Sequence, residues 1–345
     1  MNPLQPPDHW DFAMITTQRA KAIEAFGFSE RQARFLLTVM LHSGVFVERQ
    51  YCAFAGIVHG QKTTDFLRKL VDAKLAVAVA TGAVHRGRLI HVRHKPLYAA
   101  IGQVDNRNRK PAELGRLIER VMLLDAVLDD GGFTWLGTER DKRWHFERRL
   151  GDRLRPNEFP ILTFGSKPRQ TVRYFPDKMP IGMRSGEDPV VFVYLVTRPS
   201  PCDFRLFLWR HAELFRALRT WTLRLLVPGV LRKAMPLYMQ AVREEWTTPL
   251  SPAVTDQLRS YFRSRKGGDA AAAPAMDPGR KEASERFRGP RFRALYRAWQ
   301  QHGDAVLWSA QSSVLKSKFF EGDARIECVE LDRQYLHLSP LVGKS

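Results

Sequence analysis

The stretch "GQKTTDFLRKLVDAKLAVAVATGAVHRGRLIHVRH", residues 60–94, combines two different hydrophobic periods. Its first half places apolar residues on one side of a helix. These residues are Phe66, Leu67, Leu70 and Val71. Its second half has two apolar runs around a Gly-containing turn, which is the pattern of a β-hairpin. We therefore predict a helix followed by a hairpin.

Two shorter helices are predicted before this stretch. "SERQARFLLTVMLHSG" (29–44) begins with Ser29 at an N-cap position and continues as an apolar stripe. "VERQYCAFAG" (47–56) is the second helix. Three helices followed by a hairpin is the element order of a winged helix-turn-helix, which binds DNA. We therefore predict an N-terminal arm over 1–28 and a winged helix-turn-helix domain over 29–110.

The rest of the chain changes its pattern. Residues 111–157 predict a helical connector. Over 158–265, strands alternate with helices, which predicts a small α/β domain with a mixed sheet and crossover helices. Residues 266–285 are rich in Gly, Ala and Pro and are typical of a flexible linker. A basic helix and a short β pair are expected over 286–345. The predicted fold class is mixed, α+β.

The chain is strongly basic. Its 345 residues include 55 Lys or Arg and 36 Asp or Glu, which gives a formal net charge of +19. Such a charge attracts polyanions, and nucleic acid is the commonest soluble one. An Arg-rich composition from a GC-rich genome is the alternative explanation. Residues 60–110 hold eleven Lys or Arg and three Asp, so the excess is concentrated around the predicted DNA-binding helix and hairpin.

The cysteines and the N-terminus indicate a cytoplasmic protein. Cys52, Cys202 and Cys328 lack CxxC spacing, which suits a reducing compartment and argues against a thiolate zinc site. "MNPLQPPDHWDF" (1–12) has no apolar segment behind a basic start, so no signal peptide is predicted. No apolar run approaches the ~20 residues that span a bilayer, so we expect no membrane partner.

The candidate DNA-binding residues lie within residues 60–95. A recognition helix needs polar and basic residues near its start, where the N–H groups also favour phosphate. The helix supplies Gln61, Lys62, Thr63, Thr64, Arg68 and Lys69, and the hairpin supplies Arg86, Arg88, Arg93 and Lys95. A solvated helical face beside an ordinary hairpin is the alternative. His91 and His94 have HxxH spacing, but alternation along a strand separates them, so we expect wing or surface histidines and no metal site.

A second stretch, "RYFPDKMPIGMRSGEDPVVFVYLVT" (173–197), has a strand that ends in Pro176-Asp177 and, after a loop, an all-apolar strand. With the winged-helix pattern upstream, this layout resembles the replication-relaxation family, which includes mobilisation relaxases of plasmids and integrative elements. The resemblance extends over roughly residues 28–245. It implies a PD-(D/E)XK nuclease-like second domain with Pro176-Asp177 at the family's Pro-Asp position.

The resemblance also shows where the nuclease pattern is degenerate. The positions of the family's carboxylate and Lys hold Val193, Tyr194 and Leu195. Hydrolysis of a phosphodiester needs hard cations held by carboxylates, and one Asp is a weak site for Mg²⁺. Glu187 and Asp188 in the intervening loop are the substitute ligands for a metal site. A turn-capping role for Asp177 is the simpler interpretation.

The resemblance implies a basic helix next, and "FRLFLWRHAELFRALR" (204–219) provides it with Arg205, Arg210, His211 and Arg216. The arginines in residues 286–297 would add phosphate contacts, or would form a solvated helix face. We therefore expect a sequence-specific double-stranded DNA-binding protein of a mobile genetic element. It would be a transcriptional regulator or an accessory factor in replication or transfer, without nuclease activity or cofactor, and a homodimer is a further expectation.

Two alternatives remain open. The first is a metal-dependent DNA nickase or relaxase in which Asp177, with Glu187 or Asp188, holds Mg²⁺. The second is an RNA-binding protein, since positive charge alone does not distinguish RNA from DNA.

Overall fold

The computed structural model describes residues 11–79, 88–165, 170–177, 179–184, 187–266, 278–333 and 335. The fold is mixed α/β and about 59% helical, and its largest sheet is a mixed sheet of five strands. The chain divides into two compact units. Unit 1 contains Met1–Thr138, Gly182–Ser185 and Leu331–Ser345, and unit 2 contains Glu139–Ile181 and Gly186–Glu330. None of the described helices is long and apolar enough to cross a membrane.

Fourteen α-helices and ten strands are seen in the described residues. The helices are α1 (Phe12–Glu24), α2 (Glu30–His42), α3 (Glu48–Ala55), α4 (Gln61–Asp72), α5 (Lys95–Ala100), α6 (Leu114–Asp129), α7 (Glu139–Leu150), α8 (Cys202–Ala217), α9 (Met235–Val242), α10 (Pro252–Lys266), α11 (Pro278–Arg286), α12 (Pro290–His302), α13 (Ala305–Gln311) and α14 (Val314–Glu321). The strands are β1 (Val45–Val47), β2 (Ala76–Val79), β3 (Leu89–Val92), β4 (Thr134–Trp135), β5 (Ile161–Phe164), β6 (Thr171–Tyr174), β7 (Ile181–Arg184), β8 (Glu187–Leu195), β9 (Trp221–Pro228) and β10 (Ala324–Leu331).

The core of unit 1 forms where α2, α3 and α4 meet. Phe66 of α4 is buried and makes ring contacts with Phe28, Phe35 and Tyr51. The predicted N-cap of α2 is confirmed, because Ser29 and Gln32 form a reciprocal capping box. Phe66 and Leu70 face inward as predicted. The prediction is wrong for Val71, which is 38% exposed because it lies at the margin of the apolar face.

A three-stranded antiparallel sheet with the order β1-β3-β2 completes this core. The predicted pairing of β2 with β3 is confirmed, and the residues that connect them, 80–87, lie outside the described part of the chain. The sequence did not predict β1. Val47, expected to begin the second helix, is the last residue of that strand.

His91 belongs to the predicted hairpin, but it is buried, so the alternative of a surface histidine is wrong. It lies on β3, only 2% exposed, and its Nε2 is 2.8 Å from the backbone oxygen of Asn108. Burial lowers the pKa of the His91 imidazole. The Asn108 amide in turn donates to the carbonyls of Met40 and Leu41, so these groups join the sheet to the end of α2.

Unit 2 is built around two parallel strands. β8 and β9 are in register from Val190↔Trp221 to Leu195↔Leu226, and α8 is the crossover helix between them. β10 lies on the other side of β9. The strand predicted in "ARIECVEL" (324–331) is therefore confirmed, but its neighbour is β9. The strand expected to pair with it, in residues 335–341, lies outside the described part of the chain apart from Tyr335.

Two further expectations for unit 2 differ from the structure. β5 and β6 form a separate two-stranded antiparallel sheet, where a single mixed sheet was predicted. Helix α11 occupies the last part of the segment 266–285, whose composition predicts a flexible linker, and residues 267–277 of that segment lie outside the described part of the chain. Phe287 follows the helix, and its buried ring lies 5.7 Å from that of Tyr261 on α10.

Candidate nucleic-acid interface

The start of α4 presents backbone N–H groups to its surroundings. Helix α3 ends at Gly56 in the left-handed conformation (φ 63°), and α4 begins after Gly60 without a side-chain cap. Thr63 and Thr64 donate their N–H groups back to the Gly60 carbonyl. The earlier N–H groups of the first turn have no such bond within the helix, which is the arrangement that favours an anion.

Three of the predicted DNA-binding side chains are exposed on α4, with Lys62 about 100° around the helix from the line of Gln61 and Arg68. Gln61, Lys62 and Arg68 are all exposed. Asp65 lies between them and accepts from Gln61 Nε2 at 2.7 Å and from Arg68 Nη1 at 3.2 Å. These bonds hold both side chains along the helix surface. Exposed bonds of this kind are weak, so a phosphate or a base edge can replace them.

Thr63 and Lys69 make contacts within unit 1. Thr63 is fully buried, with Oγ1 3.5 Å from Sγ of Cys52, so it is a packing residue. The Lys69 ammonium donates to the carbonyl of Gly27 and lies 4.8 Å from the centre of the Phe28 ring. The ammonium group of Lys69 is therefore bound to the turn before α2. Thr64 is half-buried, and its hydroxyl donates to Gly60 O at 3.2 Å.

The predicted hairpin residues lie at two places. Exposed Arg88 precedes β3, whereas half-buried Arg93 and exposed Lys95 follow it. At about 3.4 Å per extended residue, Arg88 and Arg93 are separated by on the order of 15 Å. Arg86 lies outside the described residues. The hairpin thus offers two separate positive positions.

A groove between α2, α3 and α4 was missed by sequence reasoning. It has a volume of about 950 Å³, and Tyr51, Phe54 and Phe66 form its apolar floor. Its charged rim contains Arg31, Arg34, Lys62 and Lys69 with Glu30 and Asp65. The signal was the polar side of α2, which in the sequence looks like any solvated helix face.

Asp177 follows β6 in unit 2 and makes an ion pair. Its two carboxylate oxygens accept from Arg210 Nη1 at 2.6 and 2.7 Å, and the pair is largely buried. The turn-capping interpretation is replaced by this contact. Phe175, two residues earlier, has a left-handed backbone (φ 46°) and donates its N–H to Pro160 O at 2.7 Å, which fixes the turn that carries Asp177.

Two more titratable side chains surround Asp177. Buried Lys142 donates to Met179 O at 2.8 Å, and burial lowers the pKa of its ammonium to about 8 although Asp177 opposes the shift. His211 Nδ1 lies 3.0 Å from Phe207 O and 3.9 Å from Asp177 Oδ2. Burial lowers the pKa of His211 to about 4, so the ring is neutral at pH 7. The site therefore combines one carboxylate, two cations and a neutral imidazole.

The basic residues of α8 are used inside unit 2. Arg205 is 3% exposed and contacts Glu244 and Glu245, while Arg216 contacts Glu213 and Ser309. With Arg210 on Asp177, the helix does not present the free basic face that was expected. Glu213 belongs to α8 itself, whereas Asp177, Glu244 and Glu245 come from other parts of the sequence.

The expected substitute metal ligands lie elsewhere than predicted. Glu187 and Asp188 belong to the start of β8 and not to a loop. Val193, Tyr194 and Leu195, at the degenerate positions, are buried on the same strand. Among the side chains that the structure describes, no three His, Cys, Asp or Glu residues converge as a metal site.

No protein-family model matches the chain, and neither the curated proteins nor the solved structures contain a significant match to it.

Proposed function

We propose that the protein binds double-stranded DNA through unit 1, with α3 and α4 as a helix-turn-helix and the β2–β3 pair as its wing. The observation that carries this proposal is the exposure of Gln61, Lys62 and Arg68 on a helix whose first turn has no side-chain cap. Binding of this kind suits a transcriptional regulator or an accessory factor in replication or transfer.

The charge distribution supports the same proposal. The net charge of +19 supplies long-range attraction to a polyanion. Because the arginines of α8 are paired internally, the exposed positive groups of α4 and of the ends of β3 matter more for DNA than those of α8. Exposed Arg293 and Arg297 on α12 would add contacts that do not depend on sequence.

The test is duplex binding by the full chain at moderate salt, with Lys62→Glu and Arg68→Glu combined. The matched control is Lys21→Glu with Lys110→Glu, which makes the same change in charge at two exposed positions of unit 1. We expect the first variant to lose at least tenfold in affinity and the control to lose much less. Equal losses would mean that only net charge matters, and no loss would exclude α4 as the DNA-binding helix.

The proposal assigns no nuclease step and no cofactor to Asp177. Both oxygens of Asp177 accept from Arg210, and the positive charges of Arg210 and Lys142 disfavour a divalent cation at this carboxylate. Relaxation of supercoiled plasmid with Mg²⁺ or Mn²⁺ separates the two functions. Relaxation by the wild type that is abolished in Asp177→Ala would replace this proposal with a nickase.

A further inference from the structure

Three sulfur atoms converge in unit 2. Sγ of Cys328 on β10 lies 3.3 Å from Sδ of Met235 and 3.8 Å from Sδ of Met239. The two methionines are four residues apart on α9, so they share one face of that helix. The three side chains form a cluster of soft donor atoms built from two elements of the fold.

The distances suit an ion at the centre of the cluster. Three sulfurs at about 2.3 Å from one ion in a plane are about 4 Å from one another. The two observed separations from Cys328, 3.3 and 3.8 Å, fall short of this by about 0.7 and 0.2 Å. Methionine has three rotatable bonds, so its sulfur can make this adjustment without movement of the helix.

The donor set selects for a particular class of metal. Thiolate and thioether sulfur are soft ligands that favour Cu(I), whereas Mg²⁺ and Ca²⁺ require oxygen ligands. A thiolate with two neutral thioethers also balances a single positive charge. The nearby Glu330 carboxylate is paired with Arg232, so this hard ligand is already occupied.

The site is accessible from solvent. Cys328 is exposed, and Met235 and Met239 are half-buried. The other two cysteines have different neighbours, since Cys52 Sγ lies beside Thr63 Oγ1 and Cys202 Sγ lies 3.2 Å from Ser200 Oγ. Cys202, also exposed, is therefore a matched control.

We propose that Met235, Met239 and Cys328 form a binding site for a soft monovalent metal ion, Cu(I). The proposal is independent of DNA binding, because no residue of α4 takes part. The alternative is ordinary apolar packing of three sulfur-containing side chains.

The test is an anaerobic titration of the reduced full chain with Cu(I), in competition with a chromophoric Cu(I) chelator. We expect one equivalent to bind, with at least tenfold weaker binding in Cys328→Ser and in Met235→Leu with Met239→Leu, and with unchanged binding in Cys202→Ser. X-ray absorption of the loaded protein should show sulfur neighbours at about 2.3 Å.

Thermal melting without metal checks that the variants fold, and Cu(I) should raise the Tm of the wild type but not of Cys328→Ser. The proposal is overturned if the wild type does not compete with the chelator. It is also overturned if the folded Cys328→Ser or double methionine variant binds as tightly as the wild type.

Discussion

Asp177 and Arg210 hold each other in a largely buried ion pair, with side-chain exposures of 22% and 13%. Removal of one member of such a pair leaves the other charge without a partner, which is more harmful than loss of both. We expect Asp177→Ala to lower the free energy of unfolding by roughly 3 kcal/mol, the lower end for a buried pair. Urea unfolding measures this change.

The control for that substitution is Asp203→Ala, since Asp203 pairs with Arg198 at an exposed position. Its effect should stay below about 1 kcal/mol. Duplex affinity should be unchanged in folded Asp177→Ala. An unfolding free energy equal to that of the wild type would contradict the structural role of Asp177.

His211 gives a prediction about pH. Its pKa is about 4 in the fold and 6.5 when unfolded, because burial disfavours the charged ring. Between these values the unfolded chain binds a proton that the folded chain does not. The free energy of unfolding therefore falls as the pH is lowered from 6.5 to 4, by at most about 3 kcal/mol from this residue.

Replacement of His211 by Phe removes that contribution and keeps the ring volume. The loss of stability between pH 6.5 and pH 4 should be smaller in His211→Phe than in the wild type and unchanged in His59→Ala, an exposed histidine. Asp177, Arg210 and Lys142 face His211 and remain in both proteins. Identical pH dependence in His211→Phe and wild type, measured by urea unfolding, would contradict this assignment.

At the scale of elements, the π-helical turn after α9, Arg243–Thr247, organises a buried charge cluster. Glu244 and Glu245 both reach the guanidinium of Arg205, and Arg291 of α12 lies 3.8 Å from Glu245. Burial raises the pKa of Glu245 to about 7 despite these cations. The turn thus ties α8 and α12 together through ions.

Glu245→Ala should lower the free energy of unfolding by about 3 kcal/mol or more, because it leaves two guanidinium groups with one fewer buried acceptor. Arg205→Met combined with Glu245→Leu should recover much of this loss, since apolar residues of similar volume replace a buried pair well. Chemical denaturation of both variants tests the cluster. A double variant that is no more stable than Glu245→Ala would contradict it.

Helix α4 offers a matched pair of lysines. Lys62 is exposed at its start, whereas Lys69 is bound to Gly27 and Phe28. We expect Lys62→Ala to weaken duplex binding and to reduce the salt slope of log affinity by about one. Lys69→Ala should leave the slope unchanged and lower the melting temperature. A reduced salt slope in Lys69→Ala together with an unchanged slope in Lys62→Ala would contradict the proposal that Lys62 contacts the DNA.

The elements that depend on local sequence were predictable. Ser29 with Gln32 marks the start of α2, and the helical spacing of Phe66 and Leu70 marks α4. Strands β1 and β4 were missed because they have only three and two residues, and β7, with the sequence IGMR, has no alternation of apolar and polar residues. Which strands pair is decided by contacts between distant residues, so no local sequence pattern shows that β5 and β6 form a sheet of their own.

The candidate sites were less predictable because they depend on contacts between distant residues. Arg210 meets Asp177 from 33 positions away, and Cys328 meets Met235 from 93 positions away. The sequence shows that α8 is rich in arginine, but it does not show which acids reach it. The sequence also does not show that Thr63, one of the candidate DNA-binding residues, is buried.

At the scale of the whole molecule, a net charge of +19 favours adsorption to any polyanion at low salt. Non-specific binding is therefore expected from wild type and variants alike, and it does not distinguish the proposed function from simple charge attraction. A preference for one DNA sequence distinguishes the two, because it requires contacts between a positioned helix and the bases.

The most direct test of DNA binding by α4 is selection of duplexes from a random library by the full chain at physiological salt. Affinities for the selected duplex and for a scrambled duplex are then measured. We predict that the selected duplex binds at least about 10³-fold more tightly, as specific sites do, and that Lys62→Glu with Arg68→Glu removes this preference. Equal affinity for both duplexes, or a preference that survives in the variant, would contradict the account.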